Sequence, residues 1–196
     1  MPDAGRVVAG SARSIRLDAP GEGTRPLGDR VKEALFATIE AGTMAPWPAP
    51  FLDLFAGSGA GGIEALSRGA PQATFVERDR RAVTVIAANL ARARLAERAT
   101  VVSADALAFL DGRAAYAGPL FGAALVDPPY GEALLIPALE RLAASTAPWL
   151  AARAVVVAKH FWRDTMPAQV GDMTMARSRR FGETALTFYV RSGEPA

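Results

Sequence analysis

Residues 51–62 read Phe51-Leu52-Asp53-Leu54-Phe55-Ala56-Gly57-Ser58-Gly59-Ala60-Gly61-Gly62. A short apolar run meets a burst of glycine, and apolar residues at helical spacing follow through Ile63, Ala65 and Leu66. That pattern is a buried strand feeding a tight turn into a helix. Gly57, Gly59 and Gly61 accept positive φ and offer bare backbone to a ligand. In a doubly wound sheet this turn faces the crevice where cofactors bind.

Working outward, strand and helix alternate from residue 51 to about 160. Strands are expected at Ala73–Glu77, Thr100–Ser103, Phe121–Val126 and Ala154–Ala158. A helix is expected from about Asp79 to Leu95, with Val83, Ile86 and Leu90 as its buried stripe. Another follows residue 130, with Leu134, Leu135, Ala138, Leu139 and Leu142 inward. Met173 to Val190 alternates as a hairpin does, with Arg177, Arg179, Arg180, Phe181 and Gly182 near its turn. The alternation predicts an α/β fold: a mostly parallel sheet with helices on both faces.

Before the glycine turn, residues 6–17 look like a small hairpin whose two apolar runs flank Gly10 and Ser11. Arg6, Arg13 and Arg16 decorate it, which suits either a solvated edge or an arm that contacts phosphates. Residues 18–28 are loop. Asp29 is expected to cap a helix with Val31, Ala34, Leu35, Thr38 and Ile39 on one face. Arg25, Arg30 and Lys32 lie at its start. The chain is read as one domain over 1–196, with a hairpin-and-helix extension over 1–50 and a catalytic core over 51–196.

The 196 residues carry 51% hydrophobic and 21% charged side chains, a globular balance. The formal net charge is only +2, and of the 22 basic residues only Lys32 and Lys159 are lysine. Arginine suits phosphate and stacks on bases. The absence of cysteine excludes disulfides and thiolate metal sites, and a single histidine, His160, argues against a histidine metal site or triad. No metal is expected. There is no secretory signal and no run of membrane-spanning length, so a cytoplasmic location without membrane partners is expected.

The glycine turn fits two templates. Gly57, Gly59 and Gly62 satisfy G-x-G-x-x-G, the dinucleotide fingerprint, and Gly57, Gly59 and Gly61 satisfy the G-x-G-x-G of S-adenosylmethionine enzymes. Glu77, twenty residues beyond Gly57, suits the ribose in either. Two further acids favour the methyl donor. Asp53 can orient the turn and face a methionine amino group, where a pyrophosphate would be repelled. Asp105 can accept from an adenine amine. The candidate cofactor-binding set is Asp53, Phe55, Ala56, Gly57, Ser58, Gly59, Gly61, Glu77, Asp105 and Ala106.

Asp127-Pro128-Pro129-Tyr130 follows the fourth core strand. The prolines fix φ and remove two donors, so the turn offers acceptors: the Asp127 carboxylate and the Pro128 carbonyl. Two fixed acceptors match the two N–H groups of a nucleobase amine, and Tyr130 offers a ring for stacking. Positioning the amine in line with a sulfonium methyl makes the reaction effectively unimolecular. The candidate catalytic residues are Asp127, Pro128, Pro129 and Tyr130.

With these residues in hand, the chain resembles the RsmD family, bacterial methyltransferases of a guanine in small-subunit ribosomal RNA. The shared stretches are Arg6-Val7-Val8-Ala9-Gly10, Thr24-Arg25-Pro26 with Asp29–Phe36, Phe51–Gly59, Glu77, Asn89, Asp127–Tyr130 and Phe181-Gly182-Glu183-Thr184. The resemblance implies S-adenosylmethionine and a Rossmann-like class I methyltransferase fold. The implied sheet has seven strands, mostly parallel, with an antiparallel last strand. A flipped guanine is the implied substrate, in ribosomal RNA or a protein-bound small-subunit assembly intermediate. The candidate RNA-binding residues are Arg6, Arg13, Arg16, Arg25, Arg30, Arg177, Arg179 and Arg180. Two departures stand out: Leu27-Gly28 replaces small hydroxyl residues, and Lys159-His160 ends the fifth core strand where an acid is expected. Three other readings stand beside it: an adenine methyltransferase of DNA, a non-catalytic nucleic-acid-binding protein of this fold, and a dinucleotide oxidoreductase. Asp53 and the Pro-Pro turn count against the last.

Overall fold

The computed structural model describes residues 3–21, 27–129, 131–144 and 148–193. Its elements are β1 (Asp3–Arg6), β2 (Arg16–Asp18), α1 (Asp29–Glu40), β3 (Phe51–Leu54), α2 (Ala60–Ser67), β4 (Ala73–Glu77) and α3 (Arg80–Ala93). There follow β5 (Ala99–Ser103), α4 (Ala106–Asp111), β6 (Phe121–Val126), α5 (Leu135–Leu142), β7 (Leu150–Phe161), β8 (Gln169–Val170), β9 (Met173–Phe181) and β10 (Thr184–Ser192).

The main sheet has the order β5-β4-β3-β6-β7-β10-β9-β8. The first five strands are parallel, and β10 returns antiparallel between β7 and β9. This is the Rossmann-like class I methyltransferase sheet with its antiparallel last strand. The two-residue β8 adds an eighth strand at the edge, beyond the seven expected. The fifth core strand is longer than its apolar run, because β7 pairs over Leu150–Phe161. β3, β6 and most of β7 are buried on both faces, which is why they read as continuous apolar runs. One core packs Leu35, Phe36, Ile63, Leu66, Ile86 and Leu90 against Phe51, Phe75, Leu125 and Val157. The other packs Leu139, Leu142 and Trp149 against Leu52, Leu54, Val126 and Val156. Strand order reverses between β3 and β6, opening a crevice at their carboxyl ends.

The N-terminal segment forms the expected hairpin, with β1 paired antiparallel to β2. Its strands are short, at 3–6 and 16–18, and residues 7–15 between them form a loop laid on α2. The cause is Glu64, fully buried in α2. Its carboxylate accepts from Val8 N at 2.7 Å and Ala9 N at 3.0 Å, so these amides are unavailable for a ladder. Ser67 Oγ accepts from Ala12 N at 2.9 Å.

Three helix expectations also change. Gly28 occupies the N-cap position of α1, and Asp29 is its first residue, paired with Arg6 Nε at 3.0 Å. Lys32, expected among the cations at the helix start, is fully buried and donates to the Arg6 carbonyl, tying α1 to β1. Helix α3 ends at Ala93, and Asp79 caps it by accepting from Arg81 N. Its buried stripe uses Val85 and Asn89, with Val83 only half-buried.

Candidate active site

At the carboxyl ends of β3, β4, β6 and β7 lies a cavity of about 550 Å³. The glycine turn forms its floor. Gly59, at φ +78, is the N-cap of α2, and a Cβ on Gly57, at φ +55, would meet open space. The third glycine of each template serves packing. A Cβ on Gly61 would lie 2.7 Å from Leu125, and one on Gly62 would lie 2.3 Å from Phe75. Phe55 also holds positive φ, at 62°, a costly conformation for a residue with a Cβ.

Asp53 is 2% exposed, and its Oδ2 accepts from Gly62 N at 2.7 Å. Burial, with Asp127 and Glu77 close by, pushes its carboxyl up to about 8 against the opposing pull of the Gly62 N–H. Glu77 Oε2 accepts from Gly57 N at 2.8 Å and Oε1 from Asp79 N at 2.9 Å, so Glu77 shapes the turn as well as lining the cavity. Asp127 follows β6, and its Oδ1 accepts from Lys159 Nζ at 2.6 Å. Burial raises the Asp127 carboxyl above its ordinary range, and Lys159 opposes that. Pro129 O accepts from Glu132 N at 3.4 Å. Among the described residues none donates to Pro128 O.

The structure brings most of the expected site together. Asp53, Phe55, Ala56, Gly57, Ser58, Gly61, Glu77, Ala106, Asp127, Pro128 and Pro129 all line the cavity. Asp105 is a correction. It does not line the cavity; it caps α4, with Oδ1 accepting from Leu107 N and Ala108 N, because the helix begins at the very next residue. Its neighbours Ala104 and Ala106 take that wall. Tyr130 and Arg25 lie outside the described residues.

Sequence reasoning missed several lining residues. Ala4, Ala19, Pro20 and Leu27 bring the N-terminal extension over the cavity. Asn89 secures it: its Nδ2 donates to Asp18 O at 2.9 Å and Ser58 O at 3.0 Å, and its Oδ1 accepts from Asp18 N. Lys159 was noted only as a departure. The available signal was a lysine ending a strand that is otherwise apolar. His160 is buried, with Nδ1 2.8 Å from Phe161 O and Nε2 2.8 Å from Thr187 Oγ1. Arg6, Arg13, Arg16, Arg30, Arg177, Arg179 and Arg180 are all exposed. Among the described residues no group of three or more acids or histidines could hold a metal ion.

Residues 5–190 match the family described as "Conserved hypothetical protein 95". The chain belongs to this family, the RsmD family. It is 36% identical to "Putative rRNA methyltransferase YlbH" of Bacillus subtilis over 195 residues, covering 96% of this chain and all of the relative. It is 34% identical to "Ribosomal RNA small subunit methyltransferase D" of Escherichia coli, covering 96% of this chain and 91% of the relative. The solved structure of "Putative methyltransferase yhhF" from Escherichia coli is 35% identical, with a TM-score of 0.78 over 96% of this chain and 98% of that one. Ala19, Pro20 and Leu27 of the N-terminal extension thus fall within the family match, which begins at residue 5.

Proposed function

We propose that this RsmD-family chain transfers a methyl group from S-adenosylmethionine to the exocyclic amine of a guanine in small-subunit ribosomal RNA. The names of its relatives support methylation of ribosomal RNA. The charge of the cavity supports the donor. Asp53, Glu77, Asp79 and Asp127 line it against two cations, Arg78 and Lys159, and both cations are paired, with Glu132 and Asp127. Such a surface suits a sulfonium and an ammonium and repels a diphosphate, which decides between the two glycine templates.

S-adenosylmethionine supplies an electrophilic methyl on sulfur. Asp53, Glu77 and the open backbone at Gly57 hold it. The observation that carries the guanine reading is the Asp127-Pro128 turn on the same cavity. Lys159 commits one carboxylate oxygen of Asp127, and no described residue donates to the other. Asp127 and the Pro128 carbonyl accept from the base amine and stabilise the positive charge that grows on its nitrogen. Guanine also presents a ring N–H beside that amine, which a carboxylate accepts; adenine presents an acceptor there. Once methylated, the nitrogen is acidic and gives its proton to Asp127, whose proton affinity burial has raised. The exposed arginines of the N-terminal hairpin and of β9, together with Arg25 and Arg30, hold the RNA while one base leaves its stack.

The test is transfer of a labelled methyl group to small-subunit ribosomal RNA, naked and in partly assembled particles, followed by nucleoside analysis. Label in N2-methylguanosine is expected. Label in methyladenosine, or in DNA alone, would replace this reading with the adenine one.

A further inference from the structure

The sheet continues past the cavity as β7, β10 and β9. The register sets Lys159, Leu186 and Arg179 in one row across the three strands, and Phe161, Thr184 and Phe181 in the next. Val157, Phe188 and Arg177 form the row on the other side. Directly opposed residues share a face, and residues two apart along a strand share it too. All three rows therefore stand on the face that Lys159 shares with the cavity. Two strand spacings separate Lys159 from Arg179, roughly 10 Å. Arg177 and Arg179 are exposed, and Phe161 and Phe181 are half-buried. The Arg179 guanidinium lies 5.4 Å over the Phe181 ring.

The opposite face of the same hairpin tip is braced. The Arg180 guanidinium lies 3.5 Å from the Trp162 ring centre, and Arg180 Nε donates to Gly182 O at 2.7 Å. Trp162 N donates to Glu183 O at 3.0 Å, fastening the end of β7 to the β9–β10 turn. The cavity-side face is thereby held as a firm surface of two rings and two guanidiniums, leading away from Asp127 and Lys159. Rings offer stacking to any base, and guanidiniums offer forks to phosphates. That combination matches single-stranded nucleic acid in charge and in shape.

We propose that Phe161, Phe181, Arg177 and Arg179 seat the unpaired nucleotides flanking the target base, a subsite for single-stranded RNA that rests on the reading of RNA as the substrate. Bases stack on the two rings, and the phosphates between them meet Arg177 and Arg179. The surface extends the grip of the target from one flipped base to its neighbours in the strand.

The test uses a fluorescein-labelled twelve-nucleotide oligouridine with one central guanosine, bound to the full chain and followed by anisotropy over a range of salt. Phe161→Ala should weaken binding by about 5- to 100-fold with an unchanged salt slope, the signature of lost stacking. Arg179→Ala should lower the slope by about one, the signature of one lost phosphate contact. Phe161→Leu, which keeps apolar volume and removes the aromatic face, should behave as Phe161→Ala does and guards against a folding defect. Calorimetric affinity for S-adenosylmethionine should match wild type in all three. Wild-type RNA affinity in Phe161→Leu and Arg179→Ala would overturn the proposal and leave the face to a protein partner. Binding is read without turnover, so a chain that methylated adenine, or nothing, would leave this result standing.

Discussion

Lys159 Nζ lies 2.6 Å from Asp127 Oδ1, joining the ends of β7 and β6 inside the cavity. The lysine side chain is 6% exposed and the carboxylate 21% exposed, so neither charge is fully solvated. Burial favours the neutral acid and Lys159 favours the carboxylate, with burial the larger of the two. The pair keeps Asp127 within reach of ionisation and fixes which oxygen faces the base.

Lys159→Met should therefore move the pH profile of methyl transfer. Asp127 works ionised, so activity is lost as pH falls through its pKa. Removing the ammonium raises that pKa further and shifts the acid limb to higher pH. Glu77 on β4 also lines the cavity and stays in place, and Asp53 on β3 is itself held protonated below about 8. Single-turnover rates across pH measure the limb, and Lys159→Arg should restore it. An unshifted limb in Lys159→Met would reduce the pair to a structural contact.

Asp127→Asn should lower transfer by about 10²-fold or more, since an amide accepts fewer hydrogen bonds and carries no charge to offset the one on nitrogen. Cofactor affinity should stay within a few fold. The asparagine is preferred to alanine because its amide oxygen keeps an acceptor in place for Lys159 Nζ. Loss of cofactor binding in step with activity would show that Asp127 serves the donor and not the base.

Asp53 should make stability fall as pH rises. Its folded-state value, about 8, stands above the 3.8 of an ordinary aspartate in the unfolded chain. The folded state therefore holds an extra proton between about 4 and 8, and its advantage is lost across that window. Asp53→Asn should flatten this dependence in denaturant titrations at pH 5 and pH 8. The same group should release a proton when a cationic donor binds at pH 7. Calorimetry in two buffers of different ionisation enthalpy would detect that release in wild type and miss it in the variant.

Glu64→Ala should destabilise the fold by about 1.5–3 kcal/mol, because Arg68 Nε loses its acceptor 2.7 Å away and the guanidinium keeps only Glu40, 2.8 Å from its other side. The amides of Val8 and Ala9 lose their acceptor as well. Thermal unfolding measures the loss. A change within 1 kcal/mol would mean the loop 7–15 holds its place by packing alone.

Replacing Arg13 and Arg16 together with alanine should weaken binding to ribosomal RNA and flatten the salt slope by up to about two. Arg16 is paired with Asp3, but the two side chains are 81% and 57% exposed, and such a pair is worth little against a phosphate. Filter binding at several salt concentrations reads both quantities. Unchanged affinity and slope would make the hairpin a solvated edge.

The order of the core elements, the glycine turn and the Asp127-Pro128 turn were all legible in the chain itself. They rest on local signals: period-two and period-3.6 apolar spacing, glycine where a turn needs positive φ, and proline where a strand must stop. Asp53, Glu77 and Asp127 were found the same way, since an acid at a strand end in an alternating fold points to the crevice. What lay beyond reach were partnerships between residues far apart. Lys159 stands 32 residues from Asp127, and nothing local reports that β6 and β7 are neighbours in the register that joins them. Glu64 draws the amides of Val8 and Ala9, 56 and 55 positions away, out of the strand ladder, and Lys32 leaves the surface to bond the Arg6 carbonyl. Asp105 caps α4 instead of lining the cavity because the helix begins at Ala106 and its first amides take the carboxylate. Spacing along a chain decides which elements form. Strand register and the requirement that every buried charge meet a partner are properties of the assembled layers, and only those decided where each side chain works.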